Sequence, residues 1–121
     1  MFTHVTFTSI PVEDPERARD FYRDRLGLAV AEDAPYGDSR WIMMAIAGAR
    51  TLIHFAAGAP RSEEGKPVLC LTAIDVAATI DTLRDRGVTV TRAPGPAEWD
   101  RATTYAMIRD SEDNPVLIAD H

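Results

Sequence analysis

The sequence predicts an α+β fold made of two copies of one β-α-β-β-β unit, and three observations predict it. First, a helix opens at Asp14-Pro15 and closes at Gly27, and a second opens at Asp75 and closes at Gly87. The openers lie 61 residues apart and the closers 60, half of the 121-residue chain, the signature of an internal repeat. Second, segments rich in β-branched and aromatic residues flank both helices at matching places. Third, a turn-rich stretch ending at Pro67 falls at the midpoint, where a duplication puts its joint. The expected organisation is one domain over 1–121, with module one at 1–58, a linker at 59–67 and module two at 68–121.

Residues 2–12 read as the first strand, with Pro11 suited to an edge or a strand end. Asp14 is placed to accept from the free amides of a first helical turn, and Pro15 fits the position that needs no N–H. Ala18, Phe21, Tyr22 and Leu26 recur at i, i+3, i+4 and i+8, giving one buried stripe. Gly27 supplies the left-handed residue that ends the helix. A short strand at 28–31 follows, then a polar, turn-rich loop at 32–40.

Residues 41–47 and 50–57 read as a hairpin about Gly48-Ala49, with Gly48 leading a two-residue type II′ turn. That register sets Met43 opposite His54 and Trp41 opposite Ala56, so these four share a sheet face. A slip of one residue would put Ile42 and Met44 there instead. Module two repeats the plan: a strand at 68–73, a helix at 75–86 burying Val76, Ile80 and Leu83, and a strand at 88–91. A long loop at 93–101 carries Trp99, and strands at 102–109 and 116–119 close the module. Each helix covers one face of its sheet; the natural partner for the other face is the duplicate.

Composition narrows the function. A formal charge of −6, from 13 basic and 19 acidic residues, leaves no basic field for a phosphate backbone, so nucleic acid is not an expected partner. Cys70 is the only cysteine, which excludes an internal disulfide and fits a reducing compartment. The first residues do not resemble a signal peptide. The longest apolar run, 41–49, is too short to span a bilayer. These features predict a cytoplasmic protein with no membrane partner.

The stretch from Asp14 to Gly27 with its Phe21-Tyr22 and Leu26-Gly27, the 60-residue repeat, and the late turn beginning Arg109-Asp110 together resemble the vicinal oxygen chelate superfamily. This group holds glyoxalases, extradiol dioxygenases, fosfomycin-resistance enzymes and bleomycin-binding proteins. The resemblance implies two βαβββ modules pairing into a curved, cup-shaped mixed sheet, and a homodimer. Its enzymes hold a divalent metal with His and Glu from the first and last strand of each module. The matching positions here are Phe7, His54, Val68 and Leu117. Phe, Val and Leu offer no lone pair, and one imidazole cannot make a metal site alone. No metal and no cofactor are therefore expected. A different site from His4, His54 and His121 is disfavoured: strand alternation sends His4 to the opposite face from Phe7, and His121, as the last residue, is expected to fray.

Strand alternation from Phe7 and Val68 then gives an expected cup lining: Phe7, Ser9, Trp41, Met43, Leu52, His54, Ala56, Val68, Cys70, Thr72 and Leu117. Of these, His54, Trp41, Met43, Phe7, Ser9, Cys70, Thr72 and Leu117 are the candidate ligand-binding residues. An apolar pocket with a few polar groups suits a small molecule. His54 needs a polar partner, for which Ser9, Thr72 or backbone stand nearest, or else a ligand. Cys70 has no base beside it in sequence and is read as buried filler rather than a nucleophile. Tyr36 and Trp99 lie on expected loops and read as pocket lids, or equally as surface anchors or dimer contacts. The pairs Glu16–Arg19 and Asp20–Arg23 read as a solvated helix face. Two functions stay open: metal-free small-molecule binding, or a lyase, isomerase or dioxygenase-type enzyme using His54 or an unrecognised divalent metal.

Overall fold

A computed structural model describes residues 1–61 and 63–121. The chain forms two compact units, Met1–Arg61 and Ser62–His121. Of the expected linker, Ser62 lies outside the described residues. The first unit holds β1 (Phe7–Val12), α1 (Pro15–Asp24), β2 (Ala29–Tyr36), β3 (Ser39–Ala45) and β4 (Leu52–Ala57). The second holds β5 (Leu69–Thr72), α2 (Val76–Asp85), β6 (Val90–Pro96), β7 (Thr104–Arg109) and β8 (Pro115–Ala119). Each unit is a four-stranded mixed sheet, in the order β1-β4-β3-β2 and β5-β8-β7-β6. The first strand of each runs parallel to its last, and the remaining pairs are antiparallel. This is the α+β, twice-βαβββ architecture that the repeat predicts.

The helices start where their capping residues dictate. Asp14 accepts from the amides of Glu16 and Arg17, both at 3.1 Å, and Asp75 accepts from Ala78 at 3.0 Å. Gly27 and Gly87 follow with φ of 77° and 81°, the left-handed geometry that releases the chain from the helix. Each helix lies on one face of its own sheet. In module one Ala18 and Tyr22 are buried with Ile10, Ile42, Met44, Ile53 and Phe55, and the Tyr22 and Phe55 rings stand 5.3 Å apart. In module two Val76, Ile80 and Leu83 are buried with Ile108, Val116 and Ile118. Phe21 and Leu26, expected in the buried stripe, are only half-buried. They flank the Ala18–Tyr22 line, and Phe21 lies edge-on to Tyr22 at 5.6 Å.

Several boundaries differ from the sequence reading. Strand one begins at Phe7, not at residue 2, because β4 offers partners only from Leu52 onward. β-Propensity without a partner makes no strand. Residues 32–40 are not a loop: they complete β2, turn at Gly37 (φ 59°) and enter β3. Their polarity belongs to an edge strand, where Pro35 is also tolerated. Likewise residues 93–96 extend β6, with register shifts flanking Arg92. The expected Met43–His54 register holds, but the turn is another. Ala49 N–H donates to the Ile46 carbonyl at 3.0 Å, so Gly48 (φ 83°) occupies the third position of a type II turn. Arg19 turns from Glu16 to Asp20 and Asp33, and Asp33 also pairs with Arg40 at 2.6 Å. His121 does not fray: its ring meets Thr103 Oγ1 at 3.1 Å and Asp120 at 2.9 Å.

Candidate functional site

In module one, strand alternation sends half the side chains of β1, β3 and β4 away from α1. Ser9 pairs with His54 across the parallel β1–β4 seam, and His54 pairs with Met43 across β3–β4. The sheet therefore presents Ser9, His54 and Met43 as one row, and Glu32 continues it on β2, opposite Met43. Phe7 and Trp41 close over this row. The Trp41 and His54 rings lie 4.0 Å apart and tilted by 32°, and Phe7 meets them edge-on at 6.0 Å and 5.6 Å. Tyr36, at the end of β2, reaches Trp41 at 5.8 Å. Met43 is buried beneath, while Phe7 remains 39% exposed. Five of the sequence-predicted residues (Phe7, Ser9, Trp41, Met43 and His54) thus meet on one face.

His54 is tethered, and burial favours its uncharged form. Its Nδ1 and the Ser9 hydroxyl share a hydrogen bond of 2.9 Å. If the hydroxyl donates, Nε2 carries the ring hydrogen; if Nδ1–H donates, Nε2 presents its lone pair. Either way Nε2 has no partner among the described residues. Burial lowers the His54 pKa below its ordinary value, since the charged imidazolium loses water that the aromatic walls do not replace. The result is an oriented imidazole among aromatic rings, with its uncharged form favoured. It can donate or accept one hydrogen bond. It has no carboxylate behind it among its described contacts to stabilise a proton taken in catalysis.

Module two repeats the geometry with different chemistry. Cys70, Leu117 and Met107 form the row that Ser9, His54 and Met43 form in module one. Thr72 and Ala119 lie beside it, and Val68 donates its N–H to the Pro115 carbonyl at 2.9 Å just before β5. Cys70 is exposed rather than buried filler, because β5 is an edge strand and α2 covers the opposite face. Sequence reasoning passed over Arg92 and Tyr105. Arg92 stands opposite Met107, the place that Glu32 takes opposite Met43. Aligning the two methionines of the repeat is the signal that finds it.

A separate hollow of about 670 Å³ opens at the start of α1, walled by Glu13, Asp14, Arg17, Asp38 and Arg40. It is open and polar, and Asp14 there is committed to capping the helix. The aromatic face is the better candidate for an organic ligand.

A family model described as the Glyoxalase/Bleomycin resistance protein/Dioxygenase superfamily matches residues 2–118. The chain belongs to this superfamily. Among its relatives is the Bacillus subtilis (strain 168) protein YetH, 26% identical, with 98% of each chain covered. Among solved structures, TnmS3, an antibiotic binding protein from Streptomyces sp. CB03234, is 32% identical with a TM-score of 0.81, covering 97% of this chain and 94% of its own. A superfamily member from Sphaerobacter thermophilus DSM 20745 is 26% identical with a TM-score of 0.82, covering 98% of each chain. The residues here do not fit the metal of the superfamily's enzymes. At the positions where the resemblance would put metal ligands, Phe7 sits edge-on against His54, and Val68 and Leu117 in module two carry hydrocarbon side chains with no donor atom. Among the described residues, no three His, Cys, Asp or Glu side chains are grouped to hold a metal ion.

Proposed function

We propose that this chain binds a small, flat, partly aromatic molecule without metal and without covalent chemistry, on the face formed by Phe7, Ser9, Trp41, Met43 and His54. The observation that carries the reading is the Trp41–His54 pair at 4.0 Å with His54 tethered to Ser9. Rings held at a fixed tilt give stacking area at little entropic cost, and a tethered imidazole selects orientation. The antibiotic-binding TnmS3, at 32% identity, supports a sequestering role. The lone cysteine fits a cytoplasmic site of action, and the edge strands β1 and β5 suit a homodimer.

The test uses 2-naphthamide, a neutral flat probe that can bond an imidazole. In 15N-labelled protein each module carries one tryptophan indole signal, from Trp41 and Trp99. Saturable movement of the Trp41 signal is expected. His54→Ala should weaken binding by roughly 0.5–1.5 kcal/mol, the value of one neutral hydrogen bond. Equal affinity in both proteins, or movement of Trp99 alone, overturns the reading. Light scattering on the same sample reads the assembly, and a 13.3 kDa species at every concentration removes the dimer.

A further inference from the structure

We infer that module two carries a binding site of its own, for a flat anion such as an aromatic carboxylate, built from Arg92, Tyr105 and Trp99. The site stands on geometry that the module-one reading does not use. The Arg92 guanidinium lies over the Tyr105 ring, 4.3 Å from its centroid, and its Nε–H donates to the Tyr105 hydroxyl. Trp99 also packs on Tyr105, with ring centroids 4.7 Å apart. Tyr105 itself belongs to a buried cluster with Ala97 and Ala119, against which Met107 and Leu117 pack. The register shifts on either side of Arg92 let its side chain run back toward Gly95, where an added Cβ would stand 4.0 Å from Nη2.

The arginine is what calls for an anion. Arg19 and Arg40, also half-buried, both pair with Asp33, and Arg109 pairs with Asp113. Arg92 is half-buried too, yet among the described residues no carboxylate pairs with it. Asp100, in the same stretch as Trp99, is already bonded to Ala102 and Thr103. One donor of the guanidinium fork is fixed by Tyr105, which leaves Nη1 and Nη2 to present two parallel N–H groups. That is the geometry of bidentate carboxylate recognition. Trp99 is 61% exposed and offers its ring as the stacking surface for an attached aromatic group.

The isosteric pair 2-naphthoate and 2-naphthamide separates this site from the one in module one. The Trp99 indole signal should move saturably with naphthoate, which should bind there at least about tenfold tighter than the amide. Arg92→Met keeps the apolar stem and should erase that preference. Arg92→Lys, which keeps the charge without the fork, should lose most of it. Tyr105→Phe should weaken naphthoate about threefold by releasing the guanidinium. Movement of Trp41 alone, an unmoved Trp99, or a preference for naphthoate that survives in folded Arg92→Met or Arg92→Lys protein would overturn the inference. Failure of 2-naphthamide to move Trp41 bears on module one only.

Discussion

The two modules share topology and register, and they differ on one face. Toward the helix, both bury an apolar core: Ile10, Ile42, Met44, Ile53 and Phe55 in one, Leu69, Ala106, Ile108, Val116 and Ile118 in the other. Away from the helix, Ser9, His54 and Glu32 in the first module become Cys70, Leu117 and Arg92 in the second, around equivalent methionines. The helix-facing half of each strand carries the fold. The other half also buries Met43, Tyr105 and Ala119, but the residues around them differ between the modules without loss of architecture. The modules also close their last hairpins differently. Module one turns at Gly48, whereas module two turns around the buried Asp110 carboxylate.

The hairpin contrast gives the largest expected effect. Asp110 Oδ1 accepts from the amides of Glu112 and Asn114, both at 2.8 Å, and Oδ2 accepts from the Asn114 side chain at 3.1 Å. Asp110→Ala strands buried donors at roughly 1–3 kcal/mol each and should lower stability by about 3 kcal/mol in urea titration. Gly48→Ala, strained only by its positive φ, should cost about 1 kcal/mol. Equal costs would show that the Asp110 turn is no more than a connection.

The helix starts come next. Asp14 satisfies two amides and Asp75 one, so Asp14→Ala should cost about 1.5 kcal/mol and Asp75→Ala about 1 kcal/mol. Thermal denaturation of the two variants ranks them; the reverse order would put the difference in the helices rather than in their caps.

The smallest effect is in pH. Burial holds the folded His54 pKa below its unfolded value, so the native state binds that proton more weakly than the unfolded chain. Its contribution is complete above the unfolded pKa of about 6.5 and is lost as pH falls through the lower folded value. His54→Leu, which writes the module-two residue into module one, should flatten the fall in urea midpoint between pH 7.5 and 5.5. An unchanged slope would place the titrating group elsewhere.

Sequence alone made the repeat, both caps and the Met43–His54 register legible, because each rests on local chemistry: an aspartate, a proline, a glycine, a period of two. It missed the strand character of residues 32–36, since an edge strand may be polar on both faces. It also missed Arg92. That residue gains its meaning from a register shift and from Tyr105, 13 positions away, and neither is a local pattern. The exposure of Cys70 was hidden for a similar reason: alternation gives the face, but only sheet order shows that β5 is an edge.

The parallel seams carry a consequence for how the chain folds. β2 meets β3 across a turn at Gly37, and β7 meets β8 across the short Asp110 turn, whereas Phe7 waits for Leu52 and Leu69 for Val116. Closing those long spans costs more chain entropy before any contact offsets it, so the seams should form last in each module. Pulsed hydrogen exchange should find the amides of the β2–β3 and β7–β8 hairpins protected ahead of those joining β1 to β4 and β5 to β8. On the ribosome, module one has its own last strand by Ala57 and can shut before module two has been made.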